Sequence, residues 1–253
     1  MSSHPAGDPA VIGTEPRPAC PICGDAGSVA YDGLDDVLFG APGRWTLRAC
    51  RAADCGLLWL DPAPRPDEIG KAYARYYTHD DGAEAGLRGT VSLVYNAVWR
   101  LTGIGRERER LRLMMLGDAE PGAILDVGCG DGRRLAGLIA RGWRADGQEI
   151  DPVAAEAARL RGVTVHVGDL RTLALPSGHY DAVTLSHVIE HVPQPEATLR
   201  ECRRLLKPDG RLVAITPNAA GLGHARYGKS WRGLEPPRHL QIFSPSTLIT
   251  TGL

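Results

Sequence analysis

Apolar residues in the second half of this chain come in short dense runs, each closed by small or acidic residues. Ala123-Ile124-Leu125-Asp126-Val127 is almost continuously apolar and breaks into Gly128-Cys129-Gly130-Asp131-Gly132. Such a run reads as a strand buried on both faces that enters a glycine turn and then a helix. Residues 144–149 predict a second strand ending in an acid, residues 163–167 alternate like a third before Gly168-Asp169, and residues 180–186 and 211–216 predict two more. A helix is expected after Asp151-Pro152, with proline at its first position. Strands alternating with helices predict an α/β fold, a doubly wound Rossmann-like sheet whose ligands gather at the carboxyl ends of the strands.

The first half is patterned differently. Residues 45–48 and 57–60 predict strands, Asp61-Pro62-Ala63-Pro64-Arg65-Pro66 is a stiff connector, and Asp67 opens a capped helix running to Tyr73 and an aromatic stretch through His79. Helical patterns follow over 90–102 and 105–117. These breaks divide the chain into a disordered lead-in (1–18), a small N-terminal domain (19–62), a connector with a helical cap (63–118) and the α/β domain (119–253).

Charge selects what the glycine turn would hold. A dinucleotide places its pyrophosphate against such a turn, and carboxylates there would repel it. Asp126 and Asp131 bracket this turn, and Arg133 stands where a dinucleotide fingerprint needs its third glycine. A ligand with a ribose, an amino group and a positive centre but no phosphate suits it, and S-adenosylmethionine is one. Asp126, Gly128 and Gly130 are then the candidates for the turn itself. Glu149, 19 residues beyond Gly130, is placed for the ribose hydroxyls, Asp169 for the adenine amino group, and Ser186 for the strand end where acceptor and cofactor meet.

Cys20-Pro21-Ile22-Cys23-Gly24 and Cys50-Arg51-Ala52-Ala53-Asp54-Cys55-Gly56 form two close cysteine pairs with 26 residues between them, each followed by glycine. The pattern reads as a zinc ribbon in which Cys20, Cys23, Cys50 and Cys55 bind a structural Zn2+; free core cysteines or a redox pair are the alternative. Cys129 and Cys202 read as ordinary buried residues. Lys plus Arg number 29 against 30 Asp plus Glu, a net charge of −1, so no basic field draws the chain to nucleic acid. Residues 1–18 lack the apolar run of a signal peptide or membrane span, so a cytoplasmic protein is expected.

Four segments together carry a family resemblance: Leu125-Asp126-Val127-Gly128-Cys129-Gly130, Ser186-His187-Val188-Ile189-Glu190-His191-Val192, Leu205-Leu206-Lys207-Pro208-Asp209-Gly210 and Thr216-Pro217-Asn218. In order and spacing, the stretch from about 122 to 247 resembles class I S-adenosylmethionine-dependent methyltransferases, in the small-molecule group that includes the quinone O-methyltransferases. The resemblance implies methyl transfer to a small-molecule or sugar acceptor; within that reading His187 is a candidate base with His239 in reserve, or the histidines of the motif merely shape the pocket. His187-Val188-Ile189-Glu190-His191 also spells an inverted zinc-peptidase motif, but it follows a strand and meets Pro193 and Pro195 where that motif needs a sustained helix.

Beyond Asn218, the cationic and aromatic residues of 224–232 and 236–240 suggest an anionic acceptor such as a nucleotide-sugar; a partly structural lid is the other reading. Residues 231–239 also resemble a segment of surface-polysaccharide and secondary-metabolite methyltransferases, several of which carry an N-terminal cysteine ribbon. A complete domain of this type adds a helix and two strands after the fifth strand, whereas only the start of a helix is expected at 244–252, so the fifth strand should be a sheet edge. An RNA methyltransferase that grips its substrate through the ribbon, and a non-catalytic cofactor-binding remnant, stay open beside the small-molecule enzyme.

Overall fold

The computed structural model describes residues 11–73 and 103–252. The helical pattern expected over 90–102 and the aromatic stretch after Tyr73 lie outside them. Two compact bodies form, and they do not follow the linear segments of the chain. One gathers residues 11–73, His187–Arg200 and the chain from Thr216 to 252; the other holds 103–186 and Glu201–Ile215.

In the first body, β1 (Thr14–Glu15) pairs with β5 (Ala63–Pro64), and β2 (Ser28–Leu34), β3 (Trp45–Ala49) and β4 (Leu58–Leu60) form an antiparallel meander. The β3 and β4 segments are those the apolar runs predict. The expected helix after Asp67 is a single 3-10 turn, Ile69–Tyr73. Trp45, Leu47, Leu58 and Leu60 pack with Ile12, Leu34 and, from the far end of the chain, Leu234, Leu240 and Ile242 into one core.

The second body is a five-stranded, all-parallel sheet. α1 (Gly103–Arg112) precedes β6 (Ala123–Val127), every residue of which is buried. α2 (Arg133–Ile139) leads to β7 (Arg144–Glu149) and α3 (Pro152–Arg159) to β8 (Thr164–Val167). The chain then returns across the sheet to β9 (Tyr180–Ser186), and α4 (Pro195–Leu205) carries it to β10 (Leu206–Ile215). The order is β10-β9-β6-β7-β8, so the winding reverses between β6 and β9, where open α/β sheets bind ligands. Asp151 caps α3, accepting from the N–H of Val153, and Pro152 stands at its first position, as expected. Among the described residues β10 is an edge, regularly paired only from Arg211, and Leu212–Ile215 are half-buried.

The tail beyond β10 builds the first body. After α5 (Leu222–Tyr227), Leu234 and the run from Pro236 to Ser244 are buried, and β11 (Gln241–Ile242) adds a fourth strand to the meander by pairing with β4. Ser244 then caps α6 (Pro245–Gly252), its Oγ accepting from the N–H of Thr247 at 3.1 Å while donating to the carbonyl of Cys55 at 2.9 Å. Residues 236–240, read from sequence as part of an acceptor-binding cluster or else as a partly structural lid, are therefore core. No helix among the described residues is long and apolar enough to cross a membrane.

Candidate functional site

At the carboxyl end of β6 the backbone turns through three residues of positive φ, Gly128 (66°), Gly130 (55°) and Gly132 (74°). The surroundings of the three differ. A Cβ on Gly132 would stand 2.9 Å from that of Ala158, so the turn packs directly on α3. A Cβ on Gly130 would meet nothing within 4 Å, which leaves the backbone there open to an incoming group. Gly128 donates its N–H to Gln148 Oε1 at 3.2 Å.

Neighbouring strands brace the turn. Gln148 Nε2 donates to the carbonyl of Gly168 at 2.5 Å, so one side-chain amide ties the turn after β6 to the turn after β8. Nothing in the sequence marks Gln148 beyond its place next to the acid. Glu149 accepts the N–H of Gly130 at 2.8 Å on Oε2, and those of Ile150 and Asp151 at 2.8 and 3.0 Å on Oε1. A carboxylate has about four acceptor positions, so one remains for a ribose hydroxyl. Ile150, the next residue, is 72% exposed, an apolar face beside that acid.

The other expected cofactor residues are less free. Asp126 is buried, accepts from Thr184 Oγ1 at 2.7 Å, and is pushed up to about 7 by burial. Asp169 caps a short turn and is engaged by the Arg171 guanidinium at 2.6 Å, which holds its carboxyl below the usual range. An adenine amino group would share it with that arginine. Ser186 is buried at the end of β9.

The segment following β9 belongs to the first body, and it is a turn rather than a helix, which disposes of the peptidase motif. His187 adopts φ +56°, an uncommon conformation for a residue with a side chain. Its Nδ1 lies 3.3 Å from Glu190 Oε1, and its side chain is 57% exposed. Glu190 is fully buried; its Oε2 accepts from Thr216 Oγ1 at 2.9 Å, whereas Oε1 has no hydrogen-bond partner. Burial opposes ionisation of Glu190, but His187, His191 and His239 outweigh it and lower its pKa.

The tail fixes this turn. Leu240 donates its N–H to the Glu190 carbonyl at 2.9 Å, and Gln241 Nε2 donates to the carbonyls of Ile189 and Val192. His191 and His239 meet ring to ring at 4.7 Å, each with Nδ1 on a backbone carbonyl, that of Arg238 or Gly233 respectively. Burial lowers the pKa of both, that of His191 to about 4. The imidazole of His239, the reserve base, is thus spent on packing, while that of His187 is open.

Arg238, expected to attract an anionic acceptor, carries no free charge. It is fully buried, bidentate to Asp36 at 2.8 and 2.9 Å, and bonded to Glu235 at 3.1 Å. Nearby, Lys229 donates to the Asp32 carbonyl, and Tyr31 and His224 Nε2 meet at 2.8 Å.

The four N-terminal cysteines converge: one sulfur of each lies within 4.8 Å of the others. Cys20 to Cys55 is 3.7 Å and Cys23 to Cys50 is 3.3 Å. Zinc–sulfur bonds of about 2.3 Å in a tetrahedron place sulfurs about 3.8 Å apart, so the donor set fits that ion. Gly24 and Gly56, after the second cysteine of each pair, both have positive φ (76° and 64°), and the backbone N–H groups of Ile22, Cys23, Asp25 and Ala52 turn toward the sulfurs.

A ubiquinone biosynthesis O-methyltransferase of Xanthomonas oryzae is 38% identical over 102 residues, covering 38% of this chain and 43% of the relative. A malonyl-[acyl-carrier protein] O-methyltransferase of Serratia marcescens is 31% identical over 144 residues, 56% of each chain. This chain thus spans about half the length of the curated relatives it matches. The crystal structure of a SAM-dependent methyltransferase from Thermotoga maritima aligns with a TM-score of 0.48 at 24% identity, covering 63% of this chain and 78% of that one. The glycine turn, its bracing acid and the turn after β9 all fall within residues 100–250, the stretch that matches the family described as "Methyltransferase domain", and the chain belongs to that family.

Proposed function

We propose that this chain transfers the methyl group of S-adenosylmethionine to a small-molecule acceptor. The observation that carries the reading is the braced glycine turn, open at Gly130 and backed by Glu149, on a chain of the methyltransferase-domain family. Bound there, the cofactor supplies an electrophilic methyl on a sulfonium. Gly128 and Gly130 would let it approach the backbone, Glu149 would take a ribose hydroxyl, Asp169 the adenine amino group, and Ile150 would cover the adenine face. Much of the rate gain in such a displacement comes from holding the acceptor's nucleophile on the methyl axis.

The relatives' names favour methylation at oxygen. A sugar acceptor keeps the support of the residues 231–239 resemblance, but Arg238 no longer argues for an anionic one. Titration calorimetry tests the reading. Micromolar binding of S-adenosylmethionine and S-adenosylhomocysteine, with none of NADH, is expected; a folded protein that binds neither would make the chain a non-catalytic remnant.

The reading extends to Cys20, Cys23, Cys50 and Cys55 as the ligands of a structural zinc. One zinc per chain is expected in metal analysis. Trp59 reports on its loss, because its Nε1 donates to the Arg17 carbonyl at 2.8 Å in the same body. Chelation should therefore unfold β2 to β4 with a change in tryptophan emission. Metal-free protein with unchanged emission and stability would refute the zinc.

A further inference from the structure

A fully buried carboxylate is kept ionised only by partners, and one oxygen of Glu190 lacks a hydrogen-bond partner. Oε2 is anchored by the Thr216 hydroxyl at 2.9 Å. His191 and His239 each direct Nδ1 to a backbone carbonyl. His187 Nδ1 stands 3.3 Å from the unpartnered Oε1, and a small side-chain rotation would bring its proton onto that oxygen. The carboxylate itself is held in place, since the turn bearing it is pinned by Leu240 and Gln241. The left-handed backbone of His187 is the kind of strain that persists where a side chain must be aimed.

We propose that Glu190, seated by Thr216, is a positioning residue that keeps the proton of His187 on Nδ1 and so presents Nε2 as the base for the acceptor; the inference rests on the methyl-transfer reading. His187 Nε2 would take a proton from the acceptor, whose bonding pair stays on the acceptor atom, and the ring becomes an imidazolium. The resulting imidazolium faces the Glu190 carboxylate, and the half-exposed ring then passes the proton to water. The other titratable groups whose charge reaches Glu190 are His191 and His239.

Nitrogen-15 spectra of the imidazoles in the whole purified chain test this without an acceptor. In the neutral ring, His187 should carry its proton on Nδ1. In Glu190→Gln the ratio of the Nδ1–H to the Nε2–H form should fall roughly tenfold or more, as expected for losing a charge-assisted bond. His191 and His239, held by backbone carbonyls, should not change. Thr216→Val keeps the carboxylate and should shift the ratio in the same direction by less, which serves if Glu190→Gln does not fold. An Nε2–H tautomer in the unmodified protein, or one unmoved in a folded variant, would overturn the proposal. So would a second zinc per chain that His239→Ala removes, because Glu190 would then be a metal ligand. If the tautomer behaves as expected but S-adenosylmethionine does not bind, the methyl-transfer reading fails and the positioning stands.

Discussion

Replacing Gly128 with valine should reduce S-adenosylmethionine affinity by at least about a hundredfold while the chain still folds. The residue sits at φ +66°, where a Cβ is crowded by the backbone; the left-handed conformation costs roughly 1–2 kcal/mol for an ordinary residue, and a β-branched one fits worst. The turn would escape that cost by flipping to negative φ. Its N–H would then leave Gln148 Oε1, and the link from the β6 turn through Gln148 to Gly168 would be cut. Because Gly130 and Glu149 share the next bond along the loop, the misplacement reaches the candidate ribose acid. An unchanged affinity by calorimetry, with unchanged secondary structure, would remove this turn from the cofactor site. Gln148→Leu is the milder companion: it deletes the brace without imposing strain, so a smaller loss of the same kind is expected.

The parts of this site that were legible in the sequence are those whose cause is local. The almost continuously apolar run at 123–127, closed by a glycine turn, reads as a doubly buried strand, and the glycines after it, like Gly24 and Gly56 after the cysteines, mark positive φ because no other residue accepts it cheaply. Asp151-Pro152 and Ser244 announce helix starts by the chemistry of capping. What stayed hidden depends on partners distant in the chain. β2 alternates poorly and carries Gly33 next to its last residue, so its pairing is imposed by β3. Residues 236–244 are polar enough to pass for a loop, yet they are buried because Arg238 meets Asp36, 202 residues away, and because β11 docks on β4. Glu190 was visible only as a letter in a motif. Its role depends on Thr216, 26 residues on, and on the tail that pins its turn.

The largest stability effect should come from that hidden contact. Asp36→Ala should destabilise the first body by about 3–5 kcal/mol, the usual cost of leaving one buried charge without its partner. Arg238 and Asp36 have side chains 0% and 1% exposed, so no water replaces the lost oxygens. Glu235 and the Ala72 carbonyl would still hold part of the guanidinium, while the N–H groups of Phe39 and Ala41 would lose the acceptor that shapes their turn. Burial works against the Asp36 carboxylate, but Arg238 and those N–H groups outweigh it and its pKa lies below the ordinary value. A lowered carboxylate pKa stabilises above the unfolded value of about 3.9 and is lost as pH falls through the folded one, so the unmodified protein should lose this contribution in acid and Asp36→Ala should not. Chemical denaturation across that range measures both. The double variant Asp36→Leu, Arg238→Met, which removes both charges and fills the volume, should recover much of the loss. Recovery would establish that Arg238 serves the fold rather than the acceptor; a single variant as stable as the unmodified chain would show that the pair contributes nothing and would reopen Arg238 as a binding residue.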